Sequence, residues 1–302
     1  MTAALQPGNV AEAHASHAAA TPFQASHDEA VMEFVAGLPL AGRHRLAVDD
    51  LREGLRLRRL FATLGWLDIK MRYRGSMLGP FWLTLSTAVM VGALGVLYST
   101  LFRMNLHEYL PFLALSLVLW NFLSALVGDS CICFTAAEGM IRSIRMPYFL
   151  YAGQVIVRNF LVLAHNVVVI VVVYLIFSIW PGLRAVLAVP ALLLWVVDAF
   201  AVAILLGTFC ARFRDIPPIV GSIMQIAFFV SPIIWKPELI QHHARWLPLN
   251  PFFSLLEIVR GPLLGEFPSW EIWAASLFYS ALLCGTAWAL FVRVRGRLAF
   301  WV

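Results

Sequence analysis

Long apolar runs separated by short polar segments are the dominant pattern along most of the chain. A helix needs about 20 predominantly apolar residues to cross a bilayer. We therefore expect membrane-spanning helices at residues 78–102, 109–128, 153–179, 185–209, 217–235 and 271–292. The apolar runs are unbroken, whereas the strands of a membrane β-barrel alternate apolar and polar residues. The pattern predicts an all-α integral membrane protein with six transmembrane helices.

The segments outside these runs predict three regions. Residues 1–42 contain no Lys or Arg and no long apolar core, and we expect them to form a disordered cytoplasmic tail. Residues 43–77 contain apolar positions at helical spacing, which are Leu57, Leu60, Phe61, Leu64, Leu67 and Met71. This spacing predicts an N-terminal amphipathic helix in the membrane interface, with an ordinary cytosolic helix as the alternative. Residues 78–302 would form the six-span domain, with short re-entrant or periplasmic helices between spans five and six.

Composition excludes a soluble globular protein. Of the 302 residues, 61% are hydrophobic and 13% are charged, whereas soluble domains carry about 25% charged residues. With the N-terminus in the cytoplasm, 17 of the 22 Lys and Arg residues lie on the cytoplasmic side, and the others are Arg103, Arg184, Lys236, Arg245 and Arg260. This bias predicts that both termini are cytoplasmic. The net charge of +5 then reflects topology and anionic lipid, and we expect no nucleic-acid partner.

Two polar residues fall inside predicted spans. Asp198 lies in the fourth span, and His165 lies at a similar depth in the third. An Asp at the centre of a span has to face protein or water, because its exposure to lipid costs about 2.5–3.5 kcal/mol. We expect a His165–Asp198 hydrogen bond that joins the two spans. A proton-relay pair is the alternative.

The chain lacks the common nucleotide and metal motifs. Its only lysines are Lys70 and Lys236, and neither follows a glycine, so the chain contains no phosphate-binding P-loop. Cys131 and Cys133 do not have the spacing of a zinc site. We therefore expect no catalytic residue, no metal site and no cofactor in this chain. The chain therefore cannot bind the phosphates of ATP in a P-loop by itself.

Several segments together resemble a known family. They are RYRGSMLGPFW at 72–82, Pro147 at the end of the first inner loop, RFRDIPPIVGSIMQIAFFVSPIIW at 212–235 and LNPFFSLLEIVRGPLL at 249–264. In order and spacing they resemble the membrane subunit of type-2 ABC exporters. The branch they resemble exports polysaccharides such as O-antigen, capsule and teichoic-acid precursors.

The resemblance implies a permease dimer in the inner membrane of a bacterium. Two separate ATPase subunits, which would hold ATP and Mg²⁺, would bind it on the cytoplasmic side. It implies export of a polysaccharide, such as a lipid-linked glycan. The residues implied to couple to the ATPase are Arg72, Tyr73, Arg74, Glu138, Gly139, Arg142, Arg145, Arg214 and Asp215. The aromatic residues implied to line the substrate channel are Trp82, Tyr98, Phe102, Trp120, Phe228, Phe229 and Trp235.

Two other functions stay open at this point. One is a type-2 ABC permease for another lipid or for a drug. The other is a secondary transporter driven by ions, which would use Asp198 and His165 near the midplane. A membrane enzyme is disfavoured, because the acidic residues are spread over both sides.

Overall fold

The structure is a computed structural model that describes residues 39–77, 79 and 81–302, with the backbone alone described at 241–244. The α-helices within these residues are α1 Leu40–Arg56, α2 Arg58–Arg72, α3 Phe81–Leu101, α4 Leu106–Cys131, α5 Glu138–Ser143, α6 Tyr148–Ile176, α7 Ala188–Arg212, α8 Ile216–Val230, α9 Pro251–Leu263 and α10 Trp270–Trp301. The 3₁₀ segments are Thr135–Ala137, Gly182–Leu187 and Pro237–Leu249. The predicted tail lies outside the described residues as far as residue 38, and α1 already begins at Leu40.

Five of the described helices are long and apolar enough to cross a membrane. They are α3, α4, α6, α7 together with the 3₁₀ turn before it, and α10. The all-helical membrane class is therefore confirmed for the residues that the structure describes. Four of these helices correspond to predicted spans within a few residues. The fifth, α10, continues to Trp301, well beyond the predicted end of its span at residue 292.

The predicted span at 217–235 differs from the expectation. Its helix, α8, ends at Val230 after 15 residues. That is about 22 Å of helix, against the roughly 30 Å of a bilayer core. The helix stops because Pro232 has no amide hydrogen and its ring disfavours helical backbone at Ser231. Ser231 is accordingly extended, with φ −87° and ψ 146°, and residues 231–235 form no helix. We call residues 231–235 the α8 break.

The α8 break is held by side chains from other helices. The Pro232 carbonyl accepts a hydrogen bond from Arg260. The Ile234 carbonyl accepts one from the Tyr109 hydroxyl. Ser231 is completely buried. In a membrane protein, non-helical backbone is tolerated where protein buries it and satisfies its polar groups. Ser231, Pro232 and Ile233 are buried, and Arg260 and Tyr109 satisfy the carbonyls of Pro232 and Ile234.

Helix α9 begins beside the α8 break. Asn250 caps it by accepting from the Phe252 amide at 3.0 Å, and the same side chain donates to the Ser231 hydroxyl at 2.9 Å. At the other end of α9, the Leu263 carbonyl accepts from Tyr174, near the end of α6, at 2.8 Å. A short helix between the fifth and sixth predicted spans is therefore present. It runs from the α8 break towards the end of α6.

Helix α4 is the centre of the bundle. It packs against α3, α6, α7, α8 and α9, and most of its residues are buried. Helix α3 lies at the edge and buries one stripe alone, which consists of Thr84, Thr87, Val91, Gly95 and Ser99. The rest of α3 faces outward and is mainly apolar. A helix with such a surface requires lipid or a further protein around it.

Helices α1, α2 and α5 lie at one end of the described bundle, together with the first turns of α6, the last turns of α4, α7 and α10, and the connection between α7 and α8. We call this the basic end. Helix α2 packs closely on α6, because Gly65 has no side chain: a Cβ there would lie 3.0 Å from the Gln154 carbonyl oxygen. The predicted apolar stripe of α2 is partly packed against α6 and partly exposed. Phe61 packs on Gly153 of α6, whereas Leu67 and Met71 stay exposed.

Candidate functional site

A cavity of about 540 Å³ lies between α3, α4 and α8. Its lining consists of Met90 and Leu94 from α3, of Leu117, Trp120, Asn121, Ser124, Gly128 and Cys131 from α4, and of Pro217, Val220, Gly221, Met224, Gln225, Phe228 and Phe229 from α8. The lining extends over about four turns of α4 and about three and a half turns of α8. The cavity therefore follows these helices lengthwise and is a candidate for a translocation path.

Aromatic rings cluster at the end of the cavity next to the α8 break. The centroid of Trp120 lies 5.9 Å from that of Phe228 and 5.5 Å from that of Phe252 in α9. Phe228 and Phe229 lie 5.2 Å apart with their ring planes nearly perpendicular. Phe229 is 59% exposed. It is therefore the ring of this cluster that is most available to a ligand.

The other predicted channel aromatics lie elsewhere. Trp235 is near the cluster and donates from its indole to the Phe229 carbonyl at 3.1 Å. Tyr98 and Phe102 stack on each other at 5.5 Å and pack against the core around α4. Trp82 is exposed at the start of α3. The structure thus brings Trp120, Phe228 and Phe229 together in the cavity lining and leaves the other four outside it.

The cavity also has polar groups that are not among the predicted site residues. Asn121 and Ser124 of α4 and Gln225 of α8 line it. Their amides and hydroxyl can both donate and accept hydrogen bonds. All the polar groups that the described residues contribute to this lining are uncharged at neutral pH. The lining therefore combines ring faces with neutral hydrogen-bonding groups.

The predicted His165–Asp198 hydrogen bond is not present. Asp198 instead accepts from Ser280 of α10 at 2.8 Å, and Nδ1 of His165 lies 2.7 Å from the Leu161 carbonyl of its own helix. The prediction is wrong because depth in a span does not specify which way a side chain points around the helix. Helix α7 packs most extensively on α10, and Asp198 lies on that face.

The residues predicted to contact an ATPase are distributed over three parts of the basic end. In α5, Arg142 forms an ion pair with Glu138 at 2.9 Å and donates to the Val302 carbonyl at 2.6 Å. Arg142 thus joins α5 to the end of α10. Gly139 and Arg145 remain exposed.

The second part is the connection between α7 and α8, where Arg214 and Asp215 are both exposed. The third part is the end of α2. Arg72 and Arg74 are exposed there, and Tyr73 is half-buried. Burial raises the pKa of Tyr73, and the charge of Arg72 opposes that change.

A charged cluster in the basic end joins α2, α4 and α6. One guanidinium nitrogen of Arg158 in α6 lies 3.1 Å from Asp68 of α2, and another lies 2.9 Å from Asp129 of α4. Gln154 donates to Asp68 at 2.9 Å, and Asn159 donates to Asp129 at 2.9 Å. The sequence pattern does not predict which residues form this cluster. One feature of the sequence nevertheless indicates such a cluster. Isolated charged residues stand at the ends of long apolar runs, and charges buried there have to be paired.

A second buried acid joins α1 to the bundle. Asp50 of α1 accepts from the first-turn amide of α6, at Phe149, at 3.2 Å and from Arg295 of α10 at 2.9 Å. Burial raises the pKa of Asp50, and Arg295 opposes that change.

Among residues 39–302 as described, no three His, Cys, Asp or Glu side chains form a group that could hold a metal ion.

Three curated relatives are O-antigen export system permease proteins named RfbA. The one from Myxococcus xanthus is 25% identical over 209 residues, which are 68% of this chain and 80% of the relative. Two from Klebsiella pneumoniae are 23% and 20% identical over 234 residues, which in each case are 77% of this chain and 90% of the relative.

The family model for the ABC-2 type transporter matches residues 59–264. This range begins in α2 and ends just after α9, so it contains the cavity, the α8 break and the charged cluster. It covers more than half of the chain, and the described helices have the length and apolar composition of a multi-pass membrane protein. The chain belongs to the ABC-2 type transporter family.

Proposed function

We propose that this chain is the permease subunit of an ATP-driven exporter that moves a polysaccharide, such as O-antigen or capsular polysaccharide, across the bacterial inner membrane. The observation that carries the proposal is the lining of the cavity, where Trp120, Phe228 and Phe229 lie beside Asn121 and Gln225. Sugars offer C–H faces to aromatic rings and hydroxyl groups to amides. A polymer that moves through needs many such weak contacts instead of one tight site.

The relatives support this substrate class, since all three are named as O-antigen export permeases. The family supports the partner. Membership implies an ABC ATPase, and this chain has no P-loop of its own. We propose two copies of the ATPase and a second copy of this chain, which would cover the exposed apolar faces of α3 and α8.

We also propose six crossings with both termini in the cytoplasm. Helix α8 and the α8 break would together form the fifth crossing, because about 22 Å of helix is followed by five residues at about 3.3 Å each. In this arrangement the basic end faces the cytoplasm, as the Lys and Arg distribution predicts. The exposed apolar residues of α2 would then lie in the membrane interface.

The first test is affinity purification of the tagged chain in mild detergent. We expect a P-loop ATPase to co-purify in a one-to-one ratio, measured by quantitative mass spectrometry. Recovery of the chain alone, under conditions in which a known ABC permease–ATPase pair stays together, would contradict the proposal. It would favour an ion-driven transporter, although the structure does not pair the two midplane residues on which that function would rely.

A mutation tests the cavity. Phe229→Ala should reduce glycan export about two- to tenfold, because an aromatic contact contributes about 0.5–1.5 kcal/mol beyond its buried area. The amount of permease in the membrane should stay unchanged, because Phe229 is 59% exposed. Export is measured as surface polysaccharide per permease molecule.

Phe278→Ala is the matched control, since Phe278 of α10 is similarly exposed and does not line the cavity. Equal export by both variants would refute a role of Phe229 in translocation.

A second candidate function is export of another lipid or of a drug, which the apolar part of the lining (Met90, Leu94 and Val220) favours. An exporter of that kind would leave surface polysaccharide normal when its gene is deleted.

A further inference from the structure

We propose that Arg158 is a positioning residue that holds the end of α4 in register with α2, so that a displacement of α2 reaches the transport cavity. This proposal rests on the proposed function for its role in export, but the mechanical link it describes can be tested on the chain alone. It assigns a task to the charged cluster of Asp68, Arg158 and Asp129.

The geometry of Arg158 makes it a bridge between two helices. Its Nη1 contacts Asp68 of α2 at 3.1 Å, and its Nη2 contacts Asp129 of α4 at 2.9 Å. The guanidinium group is planar and rigid, so the positions of its two terminal nitrogens are fixed relative to each other. A change in the position of one carboxylate therefore changes the position at which the other is bound best.

Helix α6 adds a second donor to each carboxylate. Gln154 donates to the same oxygen of Asp68 that Arg158 contacts, and Asn159 donates to the same oxygen of Asp129. The side chain of Arg158 is 15% exposed, that of Asp68 is 19% exposed and that of Asp129 is 23% exposed. They are thus shielded from most of the solvent, and water competes weakly for these bonds.

Asp129 also lies next to the cavity. The residue before it, Gly128, lines the cavity, and so does Cys131 two residues later. The last turn of α4 is therefore both the part that Arg158 holds and one end of the cavity wall. Helix α2 is not part of the lining, and it can reach this wall through Arg158.

Stability alone does not account for three charges at this position. Well-packed apolar residues often stabilise a protein as well as a buried ion pair does, because desolvation offsets the attraction. Elsewhere α2 and α6 do pack through small and apolar residues, with Gly65 against Val157 and Phe61 against Gly153. A charged bridge differs from such packing because it fixes relative position through directional bonds.

Hydrogen–deuterium exchange of the purified chain in lipid nanodiscs tests the link. Asp68→Asn and Arg158→Lys should each increase the exchange rate of the last turns of α4, around residues 126–131, by about tenfold. The lysine retains the charge, but its compact ammonium group cannot present two fixed nitrogens to two carboxylates. Exchange in α7 and α10 should stay unchanged, which separates positioning from a general loss of stability.

Asp49→Asn is the matched control, because it makes the same change at an exposed position in the neighbouring helix α1. We expect wild-type exchange in α4 and wild-type export from this variant. Asp68→Asn and Arg158→Lys should lower glycan export at least severalfold at an unchanged amount of permease–ATPase complex.

Unchanged exchange in α4 for both cluster variants would overturn the proposal whatever the chain transports. Faster exchange throughout the bundle would overturn it too, because the cluster would then act through stability alone. Altered exchange in α4 with normal export would disprove the connection to transport. If the wild-type chain neither binds an ATPase nor exports a glycan, the proposed function fails, and the exchange data still decide whether Arg158 positions α4.

Discussion

Arg260→Met is expected to destabilise the folded chain by about 3–5 kcal/mol, because it removes one partner of a buried ion pair and leaves the other uncompensated. Arg260 of α9 is 1% exposed and is paired with Glu257. It also donates to the Ser116 hydroxyl of α4 at 2.9 Å and to the Pro232 carbonyl in the α8 break. Its guanidinium carbon lies 4.4 Å from the ring centroid of Phe112. Met has a similar length but none of these donors.

The measurement is the thermal unfolding midpoint in detergent, together with the amount of permease in membranes. Both should fall steeply for Arg260→Met. Arg245→Met provides the control, since Arg245 is an exposed cation over Trp246. A surface change of this kind stays within about 0.5 kcal/mol. If the two variants unfold at the same temperature, Arg260 does not stabilise the α8 break.

The second large effect is expected for Gly54→Ala, which should displace α1 from α6 at a cost of about 1–3 kcal/mol. A Cβ at Gly54 would lie 2.6 Å from the Cβ of Phe149 and 3.4 Å from its backbone carbons. These atoms cannot swing away as the end of a flexible side chain can. The shift would also stretch the hydrogen bond between Asp50, one turn earlier, and the Phe149 amide.

Gly285→Ala is the same substitution in the exposed surface of α10, where a Cβ would meet nothing within 4 Å. There the change should be neutral or stabilise the helix by up to about 1 kcal/mol, because Ala has the higher helix propensity. The two unfolding midpoints, measured side by side, separate the close contact from the general effect of replacing glycine in a helix. A Gly54→Ala midpoint as high as that of Gly285→Ala would show that α1 is not packed as described.

The apolar runs were enough to predict the helical class and five of the spans, because a membrane-spanning helix satisfies its backbone within one continuous segment. The end of α8 could also have been predicted. Ser231 precedes Pro232, and a residue before proline is biased towards extended backbone. The run of apolar residues continues across this point, so hydropathy alone predicts a longer helix than the proline allows.

The pairing of side chains between helices could not be predicted from one sequence. Asp198 and His165 have similar depths, but a depth leaves the direction around the helix axis undetermined, and Asp198 faces α10. The charged cluster joins residues 29 and 90 positions apart along the chain, from Asp129 to Arg158 and from Asp68 to Arg158. Of the seven aromatic residues predicted to line a channel, Trp120, Phe228 and Phe229 lie together in the cavity lining, whereas Tyr98 and Phe102 pack on each other.

The α8 break also has a consequence for the order in which the protein is assembled. Its Pro232 carbonyl depends on Arg260, which follows 28 residues later in the chain, and its Ser231 hydroxyl depends on Asn250. A ribosome makes the acceptors before it makes these donors. Until α9 has emerged, Tyr109 can already bond the Ile234 carbonyl, but the Pro232 carbonyl lacks its Arg260 donor and depends on water, and a carbonyl in that state is costly in lipid. The α8 break, which follows the last cavity-lining residue, Phe229, is therefore completed late in biosynthesis, after the four preceding spans have been made.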